Sequence, residues 1–246
     1  MLIIDYDRQL TLFAPGKCGS TALAYNLQHL TTEPNEFFRA QRLKVISSNT
    51  IPAQIQDLLE NKEFYYSLPI ADSYLMFRKL YTQPNFKHYV FCRDPVDRRV
   101  SAFETLISWF LPDMWEKYHN NEVTLEELWS QACELTDYDY HAGHYLNKIK
   151  NLDCVFTDIK NINNIIQEYY NIKAKHVPSV PFWTKGIDLE SRKYTDYTRE
   201  SDPEQWDKTQ LEITRFRSEC AVKYNTLLKN NKLDIEVELY NSLDIS

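Results

Sequence analysis

Glycine is scarce in this chain, with four among 246 residues, and two of the four, Gly16 and Gly19, flank a lysine in the stretch LTLFAPGKCGSTAL, residues 10–23. Cysteine is present but unpatterned. Cys18, Cys92, Cys133, Cys154 and Cys220 form no CxxC pair and no His-rich spacing, which argues against a zinc ribbon or a disulfide framework and for reduced, mostly buried thiols. Long apolar runs are missing as well. The opening MLIIDYDRQL is too short in its apolar part and too charged for a signal peptide, and no run reaches membrane-spanning length. The expectation is a soluble cytoplasmic chain with no membrane segment, or a catalytic fragment of an anchored enzyme, which reads the same way. A basic excess is lacking: the formal charge of −7 and pI near 5.4 exclude a general nucleic-acid binder and require any bound anion to sit at a local positive site. Repeats and Pro/Gly-rich linkers are absent, so residues 1–246, 43% apolar, are read as a single domain with one core.

What is present is the punctuation of an alternating α/β fold. LTLFA (10–14), HYVFCR (88–93) and DCVFTD (153–158) are short β-prone runs, each followed by a turn and a helical pattern, and read as buried parallel strands. After the first, Leu23, Leu27 and Leu30 fall on one helix face beginning near Ser20. After the second, Asp94 suits an N-cap with Pro95 at the first helical position, and Val96, Val100, Phe103, Ile107 and Phe110 make the stripe. After the third come Ile162, Ile165, Ile166 and Tyr169. Thr124 and Glu127 have capping-box spacing. Asp202 and Pro203 start a long helix along Ile213, Phe216, Cys220, Tyr224 and Leu227, whereas residues 171–200 read as irregular structure covering a site. The fold class expected is α/β, one domain, with a P-loop-like central parallel β-sheet flanked by helices.

The strand, glycine-containing turn and helix start of residues 10–23 gather backbone N–H groups where the helix dipole favours negative charge. Gly16 and Gly19 permit positive φ, Lys17 brings a cation, and Ser20 and Thr21 bring hydroxyl donors. The alternative is an ordinary tight βα turn. A Walker A loop does not fit, because Cys18 follows Lys17 and Thr stands at position 11. A phosphatase loop does not fit either: position 24, where an arginine would hold the phosphate, is Ala, so Cys18 reads as a loop residue rather than a nucleophile.

The second stretch is YVFCRDPVDRRVSAF, residues 89–103. Arg93 ends a strand at its carboxyl edge, where ligands of open α/β sheets collect, and Ser101 lies about two helical turns on. Together they suit a phosphate, the arginine as a bidentate fork and the serine as a donor. The competing use is an Arg93 pair with Asp94 or Asp97 and Ser101 as a small packing residue. Arg98 and Arg99 read as a solvated face, one of them capturing a carboxylate.

Taken together, APGKCGSTAL resembles the 5′-phosphosulfate loop of the Golgi-type carbohydrate sulfotransferases, in the Lys-x-Gly-[Ser/Thr]-Thr-x-Leu form of the heparan sulfate N- and 3-O-sulfotransferases. CRDPVDRRVSAF is similar to their 3′-phosphate segment, Arg-[Asp/Glu/Asn]-Pro-x-x-Arg-x-x-Ser-x-[Tyr/Phe]. The match covers about 25 residues, with fainter similarity in YDYHAGHYL (138–146) and IEVELYNSL (235–243). The resemblance implies transfer of a sulfuryl group from 3′-phosphoadenosine 5′-phosphosulfate to a hydroxyl or amine of a small-molecule or glycan acceptor, without a metal. It implies that Gly16, Lys17, Cys18, Gly19, Ser20, Thr21 and Ala22 hold the 5′ end, with Lys17 the donor to the leaving oxygen, and that Arg93 and Ser101 hold the 3′-phosphate. The base that accepts the acceptor's proton is sought in TTEPNEFF, as Glu36 ahead of Glu33, with His141 and His144 as rivals. Lys185, in FWTKGIDLESRK, resembles a late nucleotide-contacting lysine, and Trp183 beside it reads as a core anchor or acceptor platform. His88 reads as structural. A P-loop-like nucleotide kinase or phosphotransferase, and a non-catalytic nucleotide-binding module, remain the alternatives.

Overall fold

In the computed structural model, the residues described are 1–27, 30, 43–48, 74–75, 78–79, 85–135, 145–174, 203–223 and 233–246. They divide into two compact units, the first built from Met1–Asp94, His144–Val177 and Glu238–Ser246, the second from Pro95–Gly143 and Pro178–Val237.

The first unit is an α/β layer on a five-stranded sheet of order β3-β1-β2-β4-β5. Its strands are β1 (Leu2–Asp5), β2 (Leu10–Phe13), β3 (Leu43–Ile46), β4 (Lys87–Cys92) and β5 (Val155–Asp158). As the sequence suggests, β2, β4 and β5 are parallel neighbours, in register at Phe13↔Val90 and Val90↔Phe156. β2, and β4 beyond Lys87, are buried on both faces and read as mainly apolar runs rather than alternating ones, whereas β5 buries Phe156 and Thr157 and leaves its two ends half-buried. The sheet is mostly parallel, but as a whole it is mixed rather than purely parallel. β1 pairs antiparallel with β2, and β3 runs parallel to β1. The reason is the short connection from Tyr6 to Gln9, which can only join antiparallel strands. Buried Asp5 shapes that turn, accepting from the Arg8 N–H at 2.9 Å and pairing with its guanidinium at 3.2 Å, while Gln9 takes φ 53°.

Helices flank the sheet. α1 (Ser20–Leu27) follows β2 and buries Leu23 and Leu27, as its spacing requires. The four-residue α5 (Leu146–Ile149) and α6 (Ile162–Tyr170) bury Leu146, Ile149, Ile162, Ile165 and Ile166. Beyond β5 the chain's residues 245–246 add a short parallel bridge, Phe156↔Ile245. There Ser246 accepts from the Asp158 N–H at 3.1 Å and from the Asn161 amide at 2.9 Å.

The second unit is helical: α2 (Pro95–Phe110), α3 (Pro112–His119), α4 (Leu125–Cys133), α7 (Pro203–Val222) and the start of α8 (Leu233–Asn241). α4 begins with the capping box the sequence signals. Thr124 Oγ1 accepts from the Glu127 N–H at 3.3 Å, and Glu127 Oε2 accepts from the Thr124 N–H at 2.8 Å. The core joins Phe103, Leu106 and Ile107 to Trp115, Trp129 and Phe216, with Phe103 and Trp129 stacked at 3.8 Å. Each such side chain contributes roughly 1.5–3 kcal/mol by leaving water. The buried line on α2 is shifted from the expected stripe, since Phe110 is exposed and Ala102 and Leu106 are fully covered.

Candidate functional site

Parallel β2 and β4 end at the same sheet edge, so the segments that follow them, residues 14–19 and 93–94, share that edge. The loop after β2 is a turn closed by the Cys18 N–H donating to the Pro15 carbonyl at 3.0 Å. Gly19 opens α1, its carbonyl accepting the first intrahelical bond from the Leu23 N–H at 3.1 Å. The amides of Ser20, Thr21 and Ala22 precede that bond and have no acceptor within the helix, which is the arrangement that favours an anion.

The positive φ values fall on Lys17 (65°) and Gly19 (81°), not on Gly16. Gly19 is needed twice: its backbone is left-handed, and a Cβ there would run into Ile162 Cδ1 on α6. Lys17 adopts the left-handed region without being glycine, a strained choice of the kind found at functional positions. It is half-buried, as are Gly16, Ser20 and Ala22.

Cys18 is fully buried, with Sγ 3.5 Å from the Tyr145 hydroxyl. Tyr145 is itself 2% exposed, and the Cys92 thiol at the end of β4 donates to the Val90 carbonyl at 3.8 Å. Burial, with Cys18 nearby, pushes the Cys92 thiol well up. The loop is thus fastened through the buried Cys18 thiol to the Tyr145 phenol. Cys18 serves the cradle as this fastening, because its amide is taken by Pro15.

Arg93 is half-buried, and its Nη1 donates to the Lys17 carbonyl at 3.5 Å, which places the guanidinium beside the loop. Tyr240, on the part of α8 that belongs to the first unit, faces the same edge. Its hydroxyl is pushed up to about 12 by burial and by the neighbouring Asp158, Cys92, Asp94 and Cys18. Tyr145 closes the Tyr-rich run 138–145, which the sequence offers for packing or for stacking on a sugar, whereas Tyr240 carries no such signal; nothing in the motif spacing points either at the loop.

Ser101 lies on α2 of the second unit, half-buried, with its carbonyl accepting from Thr105 Oγ1 at 3.1 Å. Arg98 and Arg99 are not a solvated face. They are 2% and 0% exposed and lie 3.9 and 3.5 Å from buried Glu236, so a carboxylate is captured in the interior of the helical unit. His88 is structural as expected, its Nδ1 2.8 Å from Thr11 Oγ1 between neighbouring strands. Glu33, Glu36, His141, His144, Trp183 and Lys185 lie outside the described residues, as does the side chain of Thr21.

No family model matches the chain, and no curated protein or solved structure matches it. Among the described residues, no helix is long and apolar enough to cross a membrane, and no group of three or more His, Cys, Asp or Glu side chains is placed to hold a metal ion.

Proposed function

We propose that the chain is a sulfotransferase that moves the sulfuryl group of 3′-phosphoadenosine 5′-phosphosulfate to a hydroxyl or amine of an acceptor, in the first instance a carbohydrate. The observation that carries this reading is the 3.5 Å approach of Arg93 Nη1 to the Lys17 carbonyl: the two motif-bearing strand ends meet at one sheet edge, where one nucleotide can span them. In this reading the first amides of α1 and the Ser20 hydroxyl hold the 5′-phosphate, and Arg93 holds the 3′-phosphate. The acceptor oxygen attacks sulfur in line, forming the new S–O bond as the bond to the bridging oxygen breaks, and the bisphosphate leaves. Lys17 stabilises the charge that grows on that bridging oxygen, a contribution made mainly in the transition state. The acceptor proton passes to a carboxylate or imidazole base, for which Glu36, Glu33, His141 and His144 are the candidates.

The test has two arms. Purified protein is incubated with labelled donor and a panel of glycans. Lys17→Ala should lower turnover roughly 10²–10³-fold, as loss of one oxyanion donor does elsewhere; unchanged transfer overturns the role of Lys17. Binding of 3′-phosphoadenosine 5′-phosphate, 5′-AMP and ATP is then compared by thermal shift. Arg93→Ala should weaken the bisphosphate at least roughly tenfold more than 5′-AMP. Equal losses refute the 3′-phosphate assignment. Magnesium-dependent ATP turnover would favour a phosphotransferase, and tight bisphosphate binding with no transfer to any acceptor a binding module.

A further inference from the structure

The opposite edge of the same sheet, where β4 and β5 begin, holds an open cavity of about 870 Å³. Among the described residues, three cationic side chains line it, Arg78, Lys79 and Lys87, against one carboxylate, Asp153. In a chain whose formal charge is −7, that local surplus is against the trend.

The way the cations are held is the informative part. Arg78 Nη2 donates to the Asp153 carbonyl, not its carboxylate, at 2.5 Å, beside the Tyr74 hydroxyl and the Cys154 thiol. Burial keeps both of those groups neutral near pH 7, pushing the phenol up to about 12 and the thiol up to about 11. Lys87 follows the same pattern, with Nζ donating to the Tyr169 hydroxyl at 2.9 Å and standing 4.9 Å from the centre of the Tyr89 ring. The Lys87 anchors hold its ammonium without cancelling its charge. His88, on the cavity wall, senses the result: burial first, and then the Arg78 charge, push its imidazole down to about 4. Phe86, Leu152 and Val155 supply apolar wall. A volume of about 870 Å³ exceeds what an inorganic ion fills and falls within the range of small-ligand sites.

We propose that this cavity is a second binding site, distinct from the loop at the other sheet edge, for a small organic anion with an apolar body and a phosphate or carboxylate head. The proposal does not rest on the sulfuryl-transfer reading.

The experiment follows the His88 ring resonances of the full chain by NMR during titration with phenyl phosphate, benzoate, inorganic phosphate and phenol. Phenyl phosphate or benzoate should shift them saturably, the tighter of the two identifying the preferred head, with inorganic phosphate and phenol both much weaker. Lys79→Glu, at an exposed position, should raise the dissociation constant roughly tenfold for benzoate and more for phenyl phosphate, the tenfold being the effect expected of a two-unit charge change about 6 Å from a monoanion in a water-like dielectric. Lys79→Ala should give a smaller loss of the same sign, and Lys17→Ala should leave the titration unchanged. The proposal is overturned if neither organic anion saturates, if phenol or inorganic phosphate binds as well, or if Lys17→Ala abolishes the shift while Lys79→Glu does not. Because Lys17 governs only the first site, failure here leaves the sulfotransferase reading standing, and the reverse holds too.

Discussion

At residue scale the sharpest feature is Lys17, whose φ of 65° is one a glycine takes readily and a lysine does not. The strain gives an expectation that separates backbone from side chain. Lys17→Gly should be about 0.5–1 kcal/mol more stable to denaturant than Lys17→Ala, although both lose the ammonium. Equal midpoints for the two variants would show that no strain is held there. The lysine itself was legible in the sequence, since its neighbours Gly16 and Gly19 announce a tight turn, but which residues turn left-handed was not. That depends on Ile162 crowding Gly19 and on Tyr145 drawing Cys18 inward, contacts made by residues more than a hundred positions away. His88 was read correctly because a histidine at the start of a β-prone run has strand neighbours to bond.

At the scale of elements, the helix patterns were the readable part. The capping box at Thr124, the start of α7 at Pro203 and the burial of Leu23, Leu27, Ile162 and Ile166 all follow from local periodicity. Strand direction was not readable. LIID looks like any short apolar tetrad, and only the turn closed by Asp5 and Arg8 makes β1 antiparallel to β2. The Arg98-Arg99 pair failed for a related reason: its partner, Glu236, lies 137 residues from Arg99 and was not suggested by anything nearby. That trio also makes a stability prediction for α2 and α8. Glu236→Gln leaves two buried guanidinium groups without their carboxylate and should cost about 3–5 kcal/mol. The double variant Arg99→Met/Glu236→Leu should cost less, and denaturant midpoints that rank the two the other way would contradict the ion cluster's place in the core.

At the scale of the whole molecule, each unit holds a histidine pushed down to about 4 chiefly by burial, His88 in the first and His119 in the second. Both values lie below the ordinary 6.5, so the unfolded chain takes up these protons first. Their contribution to stability is complete above about pH 6.5 and is lost progressively as the pH falls toward 4. Denaturation midpoints measured across that window should fall for the native chain and fall less for His88→Asn/His119→Phe, in which asparagine keeps an acceptor for Thr11 and phenylalanine keeps a ring against Trp115. A parallel decline in both proteins would assign the acid sensitivity to carboxylates instead.

The division into units was the least legible property, because neither is a continuous stretch of sequence and no composition shift marks the crossings. Thr157 and Ser246, joined by a 3.2 Å bond, are 89 positions apart, and most of the intervening chain belongs to the helical unit. The last rung of the sheet therefore waits on the slow search that distant pairing entails. Amide hydrogens of β5 that face this rung, such as that of Asp158, are the ones to gain protection latest during refolding.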